Sequence, residues 1–270
     1  MNNLREILSN YEFNDDVYCI KNFNKSQYTE LNLRKKVAQK KYNNYFDKIS
    51  LHHSIQIMDN ELIKFLKKVP KNSNILDIGS GWCWIWRNIH KYRPDVRIFA
   101  LDILFENFEV SKKILSKEAK KQVVFICENI LNSKLPNNFF EAIWSVQTFQ
   151  HIPEIKESFE RTSKLLKNNG LFKHYNLHYN VFHKLKNLNK DKKKIWINHL
   201  FYLNRDISYQ KKLLENIFKT KVTIEYSEFL YYPKINFFKI DLINKIQKAL
   251  VGQNKILSMF ARQVSFEIKK

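Results

Sequence analysis

The chain has 270 residues, 44% of them hydrophobic and 14% aromatic, enough to bury a sizeable core as one large unit with additions at either end. That apolar content excludes a disordered chain, and the lack of any run of eighteen apolar residues argues against a transmembrane segment. A net charge of +21 invites anionic partners, but only eight of the 47 basic residues are Arg, and Lys, Asn, Ile, Phe and Tyr are inflated together as an A- and T-rich genome would do, so nucleic acid is not the favoured partner.

Residues 1–52 read as an N-terminal helical cap of mixed helix and loop, and residues 53–270 as the main domain. HSIQIMDNELIKFLKK, 53 to 68, sets Ile55, Met58, Leu62 and Leu66 near helical spacing before Pro70 breaks the run. NILDIGS then predicts a short buried strand, and WCWIWRNIHKYRP a helix stopped by Pro94. VRIFALDI is the second strand, FENFEVSKKILSKEAKK the next helix, and QVVFICENI the third strand. FFEAIWSV is the fourth strand, PEIKESFERTSKLLKNNG a helix capped by Gly170, and LFKHYNLHY the fifth strand. A Lys-rich insertion around 181–206 follows, then a helix in ISYQKKLLENIFK and strands in KVTIEYSEFLYY and ARQVSFEIKK. Strict alternation of strand and helix from 74 to 179 predicts an α/β fold with a parallel, doubly wound sheet. Ligands of such sheets bind outside the carboxyl ends of the strands.

Glycine is the informative residue. Only four occur, where average usage of about 7% would supply roughly nineteen. Gly79 and Gly81 fall together just after the first strand, where a chain that must take positive φ or admit a ligand close to its backbone needs them. Asp77 and Asp102 end the first and second strands, and an acid after the second strand can accept hydrogen bonds from both hydroxyls of a ribose. A nucleoside-bearing ligand is implied. The GxGxxG of a nicotinamide-dependent reductase is absent, because its third glycine falls on Trp84.

ILDIGSGWC resembles the first motif of class I S-adenosylmethionine-dependent methyltransferases of the small-molecule, type 11/12-like kind, in which an acid and one residue precede GxGxG. IFALDIL resembles the second motif, CENILNSKLPNNFFEAIWSVQTFQHIP the third and fourth, and FERTSKLLKNNGLFKHYN the helix and strand beyond. The likeness covers about 74 to 180 and implies a Rossmann-like, doubly wound sheet of seven strands, mostly parallel with an antiparallel C-terminal strand. It implies S-adenosyl-L-methionine as cofactor, with Asp77, Gly79, Ser80 and Gly81 bordering its methionine part, Asp102 on the ribose and Ile103 against the adenine. Glu128 or Asn129 would meet the adenine amino group, and Ser145, Val146 and Gln147 would face donor and acceptor.

Methyl transfer depends on holding donor and nucleophile in line, so a base is optional. His151 in FQHIP is the candidate catalytic base for a hydroxyl acceptor, set against a plain role in holding the turn before Pro153. Trp82, Trp84 and Trp86 read as core for at least two, with Trp82 best placed to touch ligand. Tyr42, Tyr45, Phe46, His52, His53 and Ser54 either close over the donor or form a packing face. No Asn/Asp-Pro-Pro-aromatic tetrapeptide follows the fourth strand, which argues against an exocyclic DNA amine. A small-molecule, glycan or lipid-precursor acceptor is expected. The alternative is a catalytically silent module binding RNA or another anionic partner through its basic surface.

Cys19, Cys83 and Cys127 are odd in number and far apart, which suits a reducing compartment, and with no signal sequence in MNNLREILSNYEFNDD a cytoplasmic location is expected. His174, His178 and His183 form a loose set without ligand spacing, so no metal is expected.

Overall fold

The computed structural model describes residues 6–20, 31–32, 35, 53–178, 207–229, 246, 249 and 258–270. The Lys-rich insertion, His183, Tyr42, Tyr45, Phe46 and His52 lie outside them, as do the side chains of His53 and Ser54.

Among the described residues nine strands form a single sheet: β1 (Glu12–Asn14), β2 (Val17–Cys19), β3 (Asn74–Ile78), β4 (Arg97–Asp102), β5 (Val123–Cys127), β6 (Phe140–Val146), β7 (Leu166–Leu177), β8 (Thr223–Ser227) and β9 (Gln263–Lys269). Their order is β1-β2-β5-β4-β3-β6-β7-β9-β8. Pairing is parallel from β2 through β7, while β9 runs antiparallel to both β7 and β8. The expected alternation therefore builds the expected doubly wound centre. The strand order turns back on itself at β3, and the carboxyl ends of β3, β4, β5 and β6 open side by side there.

The count of nine corrects the expected seven. Both extra strands come from 12–19, a stretch read as part of a helical cap, which instead forms a hairpin with Asp15 and Asp16 at positive φ of 48° and 59°. Its second strand pairs in parallel with β5, Cys19 level with Cys127.

Helices cover both faces. On one side lie α1 (His53–Lys68), α2 (Ile89–Tyr92), α3 (Phe105–Ile114) and α4 (Lys117–Lys120). Met58, Leu62, Phe65 and Leu66 of α1 pack there with Ile75, Ile98, Trp144 and Tyr175. On the other side α5 (Ile155–Leu165) and α6 (Ile207–Phe218) bury Phe159, Leu165, Leu214 and Phe218 against Leu76, Phe99, Ile143, Phe172 and Phe266. Each central strand thus buries both its faces, which is why its sequence reads as a continuous apolar run.

Two helices differ from expectation. The stretch after the glycines is no long helix: Trp84–Trp86 makes one 3₁₀ turn, entered through Cys83 at φ 52°, before the short α2. Gly170 does not cap α5, which ends at Leu165; it lies inside β7 beside a register shift, and the left-handed residue is Asn169 at φ 64°.

Candidate active site

The turn after β3 is drawn onto the end of β4 by backbone bonds. The N–H groups of Gly79 and Ser80 both donate to the Leu101 carbonyl, at 2.7 and 3.1 Å, and the Gly81 N–H donates to Asp102 Oδ2 at 2.8 Å. Asp102 Oδ1 accepts from the Leu104 N–H at 2.9 Å and the Asn107 amide at 3.1 Å. One buried carboxylate therefore organises the β3 turn and the entry to α3 together.

The two glycines serve different ends. Both take positive φ, 72° at Gly79 and 53° at Gly81. A Cβ on Gly79 would lie 2.1 Å from Thr148 Oγ1, whereas one on Gly81 would meet nothing within 4 Å. Gly79 is required by the protein's own packing, and Gly81 opens onto vacant space. Gly79→Ala is expected to cost about 3 kcal/mol of unfolding free energy, from left-handed strain and the clash together. In a denaturation double-mutant cycle, Thr148→Ala should restore part of that loss; strict additivity would rule out the clash. Gly81→Ala should cost less stability and more donor affinity.

The vacant space is a cavity of about 460 Å³ at the carboxyl ends of the strands. Of the residues expected to touch the donor, Gly79, Gly81, Asp102, Ile103, Asn129, Val146 and Gln147 line it. His151 lines it as well. Ser80, between the two glycines, does not line it.

Asp77, Glu128 and Ser145 do not line the cavity, and each is held elsewhere. The Trp86 indole N–H donates to Asp77 Oδ2 at 2.6 Å. Burial, with the charge of Asp102 adding to it, pushes the Asp77 carboxyl up to about 7 against the weaker pull of that hydrogen bond. Glu128 accepts from the Tyr11 hydroxyl at 2.9 Å and the Lys134 N–H at 2.7 Å, and burial raises its carboxyl too. Of the two alternatives for the adenine edge, Asn129 is the one facing the cavity. Ser145 donates to the Ile78 carbonyl at 2.8 Å.

Among the three tryptophans only Trp86 is fully buried. Trp82 and Trp84 are half-buried and neither lines the cavity, and the Arg87 guanidinium lies 4.8 Å over the Trp84 ring while pairing with Asp59 of α1. The glycine turn is therefore clear of indole. Sequence reasoning missed Leu104, Asn107, Thr148, Gln150 and Leu177, all of which line the cavity. Thr148 could have been suspected from its place two residues beyond β6; the others carry no spacing that marks them.

The residues present fit a nucleoside-bearing donor: an open glycine turn and a carboxylate at the end of the second central strand both line the cavity. Residues 76–173 match a family described as a methyltransferase domain. The sequence matches no curated protein. Among solved structures, a methyltransferase dependent on S-adenosylmethionine from Archaeoglobus fulgidus is 17% identical, with 85% of this chain and 100% of that one covered, at TM-score 0.56. One from Thermotoga maritima is 14% identical, with 85% and 96% covered, at TM-score 0.57. Phosphoethanolamine N-methyltransferase 2 from Haemonchus contortus, solved in complex with S-adenosyl-L-methionine, is 15% identical, with 78% and 52% covered, at TM-score 0.53. Residues 76–173 are thus similar to a methyltransferase domain, and the chain has the fold of the S-adenosylmethionine-dependent methyltransferases it resembles.

Proposed function

We propose that the chain methylates a small molecule, or a glycan or lipid precursor, that enters the cavity beyond the donor. The observation that carries this reading is the cavity's second wall. Past the glycine turn it is made by Val146, Gln147, Thr148, Gln150, His151, Ile152 and Leu177, polar or apolar groups with no acidic, Lys or Arg side chain among the described residues. A wall of amides, a hydroxyl and an imidazole suits a compact polar acceptor held by hydrogen bonds. The Haemonchus enzyme's name, with a small amine as acceptor, supports the same class.

On this reading Gly79, Ser80 and Gly81 hold the methionine part, Asp102 the ribose, and Ile103 and Asn129 the adenine. Asp77, turned away from the cavity, acts on the donor only through the turn it anchors. The donor supplies an electrophilic methyl group on a positively charged sulfur. The chain's own residues exclude water and align the acceptor, and alignment of that kind can supply much of the acceleration. Val17, Cys19 and Cys127 pack together in the core, and the buried free thiols of Cys19, Cys83 and Cys127 support a cytoplasmic setting.

Calorimetric titration with the donor, followed by mass spectrometry of small hydroxyl and amine compounds incubated with donor and protein, tests the proposal. Gain of one methyl group on such a compound is the expected result. Salt-dependent RNA binding without donor binding would overturn it in favour of a silent module.

A further inference from the structure

Gln150 sits in the cavity wall, buried at 3% exposure, and bonds to two partners at once. Its Oε1 lies 2.8 Å from the backbone N of Leu177, and its Nε2 lies 3.2 Å from Nε2 of His151. A backbone N–H can only donate, so the amide oxygen must be the atom that faces Leu177, and the orientation of the amide is thereby fixed. The NH₂ group that remains can also only donate. His151 Nε2 must therefore accept, which requires a lone pair on that nitrogen and, in the neutral ring, the proton on Nδ1. Exchanging the two tautomers would set N–H against NH₂, and turning the amide over to relieve this would set NH₂ against the Leu177 N–H.

We propose that Gln150 is a positioning residue that fixes the neutral imidazole of His151 in its Nδ1–H tautomer beside the acceptor. The inference rests on the methyl-transfer reading only for what the ring adjoins; the tautomer itself follows from the hydrogen bonds. It has a consequence for the reaction. Nε2 is the nitrogen that could take a proton from an attacking hydroxyl, and its lone pair is committed to the Gln150 amide. His151 is thus an orienting group in the acceptor wall, and the base role expected for it from sequence would require breaking the contact that holds the ring. Leu177 ends β7, so the same amide also ties the 3₁₀ turn Phe149–His151 to the sheet.

The test is the ¹⁵N spectrum of the histidine rings in the full-length protein, with His151→Asn identifying the His151 signals by their loss. Wild type should show a protonated Nδ1 and a lone-pair Nε2. Gln150→Glu keeps the shape and can still accept from Leu177, but offers His151 an acceptor, so the protonated nitrogen should change to Nε2. Gln150→Leu should leave a mixture of the two tautomers. A wild-type spectrum with the proton on Nε2, or a pattern unchanged in Gln150→Glu, would overturn the proposal. The measurement needs neither donor nor acceptor: the expected spectrum in a protein that binds no donor would refute the methyltransferase site and leave the tautomer assignment standing. Should Gln150→Glu not fold, the wild-type spectrum decides alone.

Discussion

Asp102→Ala is expected to weaken donor binding by at least about 100-fold, the largest single loss available at this site. The carboxylate accepts from the Gly81 and Leu104 N–H groups and from the Asn107 amide, so truncation removes three partners at once. On the proposed reading the ribose hydroxyls also lose a charged acceptor, worth about 1.5–3 kcal/mol, while the turn that shapes the cavity loses its tie. Even about 3 kcal/mol in all corresponds to more than a hundredfold in affinity. Asp102→Asn keeps one acceptor oxygen and should fall between wild type and Asp102→Ala. Calorimetric titration with S-adenosylmethionine reads both, and a loss of less than tenfold in Asp102→Ala would show that the ribose is held elsewhere.

His174 should make the protein acid-labile. Its ring is stacked on Phe266 at 4.8 Å between centroids, with Phe149, Phe159 and Phe172 around it. Burial lowers its ionisation to about 3 from an ordinary 6.5, outweighing the opposing pull of the Asn176 side chain. The sign follows from which state takes the proton. Below about pH 6.5 the unfolded chain protonates this ring and the native core does not, so stability falls as pH drops and continues to fall until the native value is reached. At about pH 5 the loss is roughly 2 kcal/mol, or about 5 °C of melting temperature. Other groups titrate in acid too; Glu61, held below the usual carboxylate range chiefly by Lys173 against the opposing effect of burial, loses its contribution only as pH falls further. The difference between wild type and His174→Phe isolates the histidine. Parallel melting-temperature profiles for the two between about pH 7 and 5 would contradict this account.

How much of this was legible in the sequence depended on whether a residue's reason lay in the chain or across it. Strand–helix alternation is a local pattern, so the central sheet and its parallel direction could be read, whereas the antiparallel end followed only from the family likeness. Glycine scarcity made Gly79 and Gly81 stand out, and Asp102 followed from its place at a strand end. The hairpin at 12–19 could not be read, because its turn uses two aspartates at positive φ where a glycine or asparagine would have marked it. Asp77 looked like a ligand because its sequence position matches that of one; only the fold brings Trp86 to within 2.6 Å of it. Gly170 follows a helix closely enough to imitate a cap, yet the chain has already entered β7 four residues earlier. Gln150 carries no pattern at all, since its partners are a neighbour and a backbone group 27 positions away.

The hairpin at the start of the chain bears on self-association. Without β2, strand β5 would end the sheet and present its backbone N–H and C=O groups to any other extended chain, close to the donor cavity. The protein closes that edge with its own residues and leaves in its place β1, a strand of three exposed residues too short to template a foreign one. The Lys112 ammonium fastens the turn between them through Asp15. The boundary expected at residue 52 accordingly runs through a shared sheet, and a fragment beginning at residue 53 would exchange a blunted border for an adhesive one.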